Sequence, residues 1–240
     1  MQIEPKILYE DNHIIVVVKP HNVSVQEDES KDLDMLTIIK EYIKQRDNKP
    51  GNVFLGLVHR LDRPTGGVMV FAKTSKAASR LSKELKSKDM HKTYLAVICG
   101  KPQLANDQLV TYLKKDEKTN TVSIAPKLEE GAKEAILNYQ VLTSKQFVEN
   151  GQDTNLSLVE VDLITGRSHQ IRVQMSKQLN APIYADFKYG DKAHKGNLAL
   201  WAYKLEFVHP TTKQNMVFKA EPDYKNSIFC SFQNEIEKLI

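Results

Sequence analysis

The chain has 240 residues, 41% of them hydrophobic and 27% charged. Those are the proportions of a folded, water-soluble protein of one large domain or two fused halves, and they exclude fibrous and disordered classes. Lys and Arg number 34 against 30 Asp and Glu, a net charge of +4, too small an excess to argue for a nucleic-acid partner by itself. Cys99 and Cys230 stand far apart and outside any CxxC pair, so neither a disulfide framework nor a cysteine metal site is suggested.

The opening MQIEPKILYEDNH lacks the basic start and apolar stretch of a secretory signal, so a cytoplasmic protein with no membrane partner is expected. Ile14 to Val18, closed by Lys19-Pro20, is too short to span a bilayer and predicts a buried strand ended by a residue that cannot extend a ladder. Leu36, Ile39 and Ile43 recur at helical spacing with Met35 and Tyr42 beside them, predicting an amphipathic helix that stops near Pro50-Gly51. Val68 to Ala72 predicts a strand, and Thr74 or Ser75 caps the helix that follows. Ala77, Ala78, Leu81 and Leu85 form one stripe of it, while Lys76, Arg80, Lys83, Lys86 and Lys88 make the remaining surface basic.

Strands are predicted at Thr93 to Cys99, Ala135 to Leu142 and Leu156 to Leu163. Ile171, Met175 and Leu179 follow helical spacing, and Leu198 to Val208 and Met216 to Ala220 read as extended around a His209-Pro210 turn. Strands come in runs instead of alternating with helices. That pattern predicts an α+β fold with a mixed, largely antiparallel sheet flanked by helices. No repeat or low-complexity linker marks a boundary, so residues 1 to 240 are expected to form one catalytic unit, or two halves sharing a cleft.

Three segments concentrate polar chemistry. In His59-Arg60-Leu61-Asp62-Arg63-Pro64-Thr65-Gly66-Gly67, a carboxylate sits between two guanidinium groups on a backbone path constrained by proline and glycine. That setting suits a nucleophile or general base, and it equally suits a turn-capping aspartate. In Lys92-Thr93-Tyr94-Leu95-Ala96, strand alternation puts Lys92, Tyr94 and Ala96 on one face, where Tyr94 is either a site aromatic or a core tyrosine. In Thr165-Gly166-Arg167-Ser168-His169-Gln170-Ile171-Arg172, a turn leads into a helix whose first amides, with Arg167 and His169, would receive a phosphate. Ordinary capping is the alternative.

GxGxxG after a strand, GxxxxGK[ST], HExxH and GxSxG are all missing, and the seven histidines show no ligand pairing. No cofactor and no metal are therefore expected.

The three segments, in the order HRLDRPTGGVMVFAK, KTYLAV and LITGRSHQIRV, resemble the signature segments of the RluA-like family of RNA pseudouridine synthases, which act on large-subunit ribosomal RNA or transfer RNA. The opening ILYEDNHIIVVVKP and the late LALWAYKLEFVHP look like that family too. The resemblance implies a cofactor-free isomerase with RNA as partner and no obligate protein partner. It makes Asp62 the catalytic aspartate, Tyr94 the residue stacked on the target base, and Arg172 the partner of Asp62. It also has Arg60 filling the gap left by a flipped nucleotide. His59, Lys92, Arg167 and His169 then join the RNA contacts, with the basic helix carrying Lys76, Arg80, Lys83 and Lys86 as the expected docking face.

The chain departs from the usual pattern at Gly66, Gln174 and Trp201, positions where Ser, His and His are common. An N-terminal RNA-binding domain of the S4 type, frequent in the family, is not expected here. Two other readings compete: an idle RNA-binding or chaperone protein on the same fold, and a nucleoside glycosidase. The latter normally needs a second carboxylate, and no partner acid is evident near the three segments.

Overall fold

The computed structural model describes residues 4–149, 152–225 and 227–240. The fold is α+β, and the chain divides into two compact units, one made of residues 1–91 with 202–220 and the other of 92–201 with 221–240. No helix among the described residues is long and apolar enough to cross a membrane.

In the first unit, β1 (Lys6–Glu10) pairs antiparallel with β2 (Ile14–Lys19), and β2 with β4 (Gly66–Ala72). The short β3 (Gly56–Leu57) also joins β4. On the other side of β4 lies β10 (Leu200–Val208), which carries β11 (Asn215–Lys219) as an antiparallel edge. Flanked on both edges, β2 and β4 are buried along their whole length, which is why their sequences are continuous apolar runs and do not alternate.

The helix α1 (Met35–Arg46) starts at Asp34, whose carboxylate accepts from the Thr37 amide at 3.1 Å, and it buries Met35, Ile38, Ile39 and Ile43. It ends four residues before the expected stop at Pro50. Asn48 takes the left-handed conformation (φ 48°) that closes a helix, so the chain has already turned when the proline arrives. The helix α2 (Ser75–Ser87) is capped by Thr74, which accepts from the Ala77 amide at 3.2 Å, and it buries Ala77 and Leu81.

In the second unit the strand order is β5 (His91–Cys99), β9 (Gln152–Leu163), β8 (Lys133–Glu149), β6 (Asn106–Asp116) and β7 (Thr121–Ile124). Each neighbouring pair is antiparallel. Leu113, Val122, Ala135, Val173 and Tyr189 make one core cluster.

The helix expected through Leu179 is much shorter. Only α3 (Gln170–Val173) is α-helical, and Gln174–Gln178 form a wider π turn closed by the Leu179 amide on the Gln174 carbonyl at 3.0 Å. Side-chain hydrogen bonding accompanies the widening: the buried Gln174 amide donates to the carbonyls of Leu109 (3.2 Å) and Ala135 (3.3 Å), drawing the turn onto strands β6 and β8. The chain closes with α4 (Gln233–Glu237).

Gly67 is the glycine on which the first unit depends. Its φ is +129°, and a Cβ there would lie 2.2 Å from the Ala202 carbonyl oxygen and 2.6 Å from the Ala202 nitrogen. Both obstacles are backbone of β10 and cannot swing aside. Gly67→Ala is therefore expected to cost about 3 kcal/mol or more, from overlap and left-handed strain together. Urea unfolding reads it as a fall in the transition midpoint; an unchanged midpoint would mean that β4 and β10 are not so closely apposed.

Candidate active site

Asp62 lies on the loop that enters β4, whose backbone one hydrogen bond closes on itself and two tie to the rest of its unit. The Thr65 amide donates to the Asp62 carbonyl at 3.0 Å, closing a tight turn. The His21 Nδ1 is 2.7 Å from the Pro64 carbonyl. Lys19, fully buried at the end of β2, donates from Nζ to the Arg63 carbonyl at 2.9 Å and to the carbonyls of Val23 (2.6 Å) and Pro20 (3.0 Å). The loop is thus fixed by its own backbone, and the half-buried Asp62 side chain has a defined origin.

The electrostatics differ from the expected pair of flanking arginines. Arg63 turns away from its neighbour to Asp28, Asp32, Ser30 and the Asn22 carbonyl, an exposed network that orders the 22–32 segment more than it stabilises it. Arg60 is exposed. Within this unit the buried Lys19 is a cation that senses Asp62. Burial pushes its ammonium down to about 7, against which the Asp62 carboxylate pulls upward and Arg63 pushes further down.

In the second unit Tyr94 is buried on β5, opposite Val161 of β9. Lys92, two residues earlier, has its ammonium beside Gly166, where a Cβ would lie 3.4 Å from Nζ. Burial lowers its affinity for a proton, and Asp162 partly restores it. Alternation thus brings Lys92 to the Thr165-Gly166 turn, joining two of the segments singled out above.

Arg172 on α3 is buried and held by Asp186 in a two-pronged ion pair, Nε to Oδ2 at 2.8 Å and a terminal nitrogen to Oδ1 at 2.6 Å. Its guanidinium also lies 5.0 Å from the centre of the Tyr189 ring. Asp186 is itself positioned by amides, Lys188 and Tyr189 each donating to Oδ1 at 3.2 Å. The Tyr189 hydroxyl is 2.5 Å from His169 Nδ1 and accepts from the Val122 amide at 2.9 Å. Arg172 therefore sits in a fully built polar cluster.

The phosphate-receiving helix end is less open than the sequence suggested. α3 has four residues, too few for much of a dipole. The Arg167 amide is already taken by Gln170 Oε1 at 3.0 Å, and the Arg167 Nε donates to the Glu134 carbonyl at 2.7 Å. On α2, Lys76, Lys83 and Lys86 are exposed, whereas Arg80 is half-buried and donates to the Pro210 carbonyl at 2.7 Å.

Lys19, His21, Asp186 and Tyr189 were not singled out from the sequence. Lys19 carries a signal, a lysine closing an otherwise apolar strand ahead of Pro20. Asp186 carried none, because its partner is fourteen residues earlier on another element.

Residues 13–177 match the sequence profile of a family described as RNA pseudouridylate synthase. The chain is 33% identical over 230 residues to the ribosomal large subunit pseudouridine synthase C of Buchnera aphidicola subsp. Baizongia pistaciae (strain Bp), covering 91% of this chain and 67% of that protein. It is 31% identical over 233 residues to the tRNA pseudouridine synthase C of Vibrio cholerae, covering 91% of each. Among solved structures, human RNA pseudouridylate synthase domain containing 4 superposes with a TM-score of 0.76 at 22% identity, over 97% of this chain and 93% of that one. That last likeness bears on the fold.

Proposed function

From a chain that belongs to the RNA pseudouridylate synthase family, and is thereby an isomerase acting on RNA, we infer conversion of a uridine in ribosomal or transfer RNA to pseudouridine, with Asp62 as nucleophile. The observation that carries the reading is the Asp62 loop, fixed through Lys19 and His21 within the stretch that matches the family. A carboxylate that is to attack or assist at a sugar carbon has to be positioned before substrate arrives, and backbone anchoring does so without enclosing the side chain.

A uridine stacked in RNA must first be extruded, at a cost of a few kcal/mol. Stacking on Tyr94 and insertion of Arg60 into the vacated space offset that cost. The N1–C1′ bond then breaks with the Asp62 carboxylate at C1′, by direct attack or by assisting elimination. The uracil rotates and C5 bonds to C1′, displacing the Asp62 carboxylate after direct attack, or adding as the carboxylate returns to C2′ the proton it removed in the elimination; the C5 proton is then removed while N1 takes one up. Tyr94 is the candidate base for that proton, or serves only to stack. Arg172, which the family resemblance assigns as the counter-charge of Asp62, is held rigidly by Asp186. His59, Lys92, Arg167 and His169 complete the RNA contacts, and we place the enzyme in the cytoplasm. The reaction is redox-neutral and needs no cofactor.

Tritium release from RNA carrying 5-tritiated uridine tests the activity, and carbodiimide-based sequencing of cells with and without the gene identifies the target. Failure of any site to disappear, together with no tritium release from total RNA, would remove the assignment.

The exposed lysines of α2 support a docking role for that helix, since Lys76, Lys83 and Lys86 lie along one side of it over about three turns, where they can meet a phosphate backbone. Changing Lys83 and Lys86 together to Glu is expected to weaken RNA binding. It should also make log K against log salt shallower by roughly 1.5, the counterions of about two phosphates. Single-turnover chemistry at saturation should stay near wild type. Equal slopes across a salt series would relegate α2 to a solvated face and shift docking toward the exposed Arg167.

A further inference from the structure

At the end of β5 in the second unit, three metal-ligand atoms converge, two from the neighbouring Asp191 and His194 and one from Cys99, more than ninety residues earlier. Cys99 Sγ lies 3.7 Å from Asp191 Oδ2 and 3.8 Å from His194 Nδ1, and those two atoms are 2.7 Å apart. The backbone holds the three in place. The Cys99 amide donates to the Pro182 carbonyl at 2.8 Å and the Tyr184 amide to the Val97 carbonyl at 2.8 Å, which fastens the 182–184 segment to the strand. The Asp191 carboxylate accepts from the amides of Ala185 (2.6 Å), Ala193 (3.1 Å) and His194 (3.3 Å). The His194 ring is stacked on Tyr184 with centres 4.2 Å apart. The Asp191 and His194 side chains are 5% and 12% exposed, so the cluster is sheltered yet reachable.

A plain hydrogen-bond cluster would explain the 2.7 Å contact, but it does not call for a sulfur equidistant from both partners. A tetrahedral ion of the zinc class, with sulfur at about 2.3 Å and nitrogen and oxygen at about 2.0–2.1 Å, spaces its donors about 3.3–3.6 Å apart. Both sulfur separations lie within about 0.3 Å of that range, and the nitrogen–oxygen pair needs to open by roughly half an ångström once the ion replaces the intervening proton. One thiolate, one imidazole and one carboxylate form a borderline-soft set that favours Zn²⁺ over the oxygen-seeking Mg²⁺ or Ca²⁺.

We propose that Cys99, Asp191 and His194 bind one divalent ion of the zinc class, with water at the fourth position. On binding, the Cys99 thiol releases its proton to solvent and the imidazole proton moves from Nδ1 to Nε2. The ion ties β5 to the segment that bears Asp186, whose carboxylate clamps Arg172, so its role is to brace that segment. This site does not depend on the proposed reaction.

The test uses the full chain freed of metal by chelator and dialysis. Co²⁺ should bind at one equivalent with a near-ultraviolet thiolate charge-transfer band, and Zn²⁺ should displace it and raise the melting temperature in a saturable way. Cys99→Ser and His194→Gln should each weaken Zn²⁺ binding at least ~100-fold in competition with a chromophoric chelator, while Cys230→Ser should bind as wild type does. The spectrum of the wild-type chain decides even where a variant misfolds: Co²⁺ binding without the thiolate band, or no binding, overturns the site. So does Cys99→Ser binding Zn²⁺ as tightly as the wild type.

Discussion

Asp62→Asn is expected to fold, to bind RNA with unchanged affinity and to make no product. The amide preserves the size and planarity of the carboxylate, and the loop's hold rests on backbone carbonyls of Arg63 and Pro64 together with the Thr65 turn, none of which the substitution touches. The chemistry loses the negative charge that attacks or assists at C1′, so the single-turnover rate should fall at least ~1,000-fold, the scale seen when nucleophiles are removed. Tritium release measures it. A variant that keeps about a tenth of the wild-type rate would require another group to be the nucleophile. The buried Lys19 adds a second reading: with the Asp62 charge gone, the group that pulled its proton affinity upward is lost. Its titration, followed by nitrogen-15 or carbon-13 NMR of labelled lysine, should move to lower pH.

How far the sequence carried this reading depended on whether a property was local. The buried strands β2 and β4 and the cap at Thr74 are consequences of adjacent residues and were legible as apolar runs and capping chemistry, whereas the equally local cap at Asp34 was not read. The strands β6 and β7 were missed. Asn106–Asp116 is amphipathic and charge-rich, with burial confined to Leu109 and Leu113, so neither a continuous apolar run nor a clean alternation announced it. The π turn at Gln174–Gln178 was equally hidden, because Ile171, Met175 and Leu179 keep helical spacing while the carbonyls that draw Gln174 outward belong to distant strands.

The site followed the same division. Asp62, Tyr94 and Arg172 were marked by contiguous motifs, whereas the groups that hold them are set by tertiary pairing. Arg63 illustrates the limit: adjacency placed it beside Asp62, and the folded chain sends it to Asp28 and Asp32 instead.

The same nonlocal logic makes Asp186 the second large effect. Asp186→Ala removes the carboxylate whose two oxygens hold the buried Arg172 guanidinium; breaking a buried ion pair by removing one partner typically costs 3–5 kcal/mol, so about 4 kcal/mol is expected here. Asp186→Asn keeps one acceptor oxygen and the side-chain volume, so it should cost less and stay folded. In that milder variant Arg172 loses one of its two prongs and is free to rotate toward Tyr189, 5.0 Å away. Displacement of a positioned group by about 1 Å can lower a rate by about 100-fold. The single-turnover rate of Asp186→Asn should therefore fall by roughly that factor while RNA affinity changes little, and Asp186→Glu, which restores the charge on a longer stem, should recover part of it. Urea unfolding and single-turnover tritium release, run on all three variants, separate the roles. A lowered unfolding midpoint with a wild-type rate in Asp186→Asn would make the Arg172–Asp186 pair a support of the fold alone, and would detach Arg172 from the chemistry assigned to it.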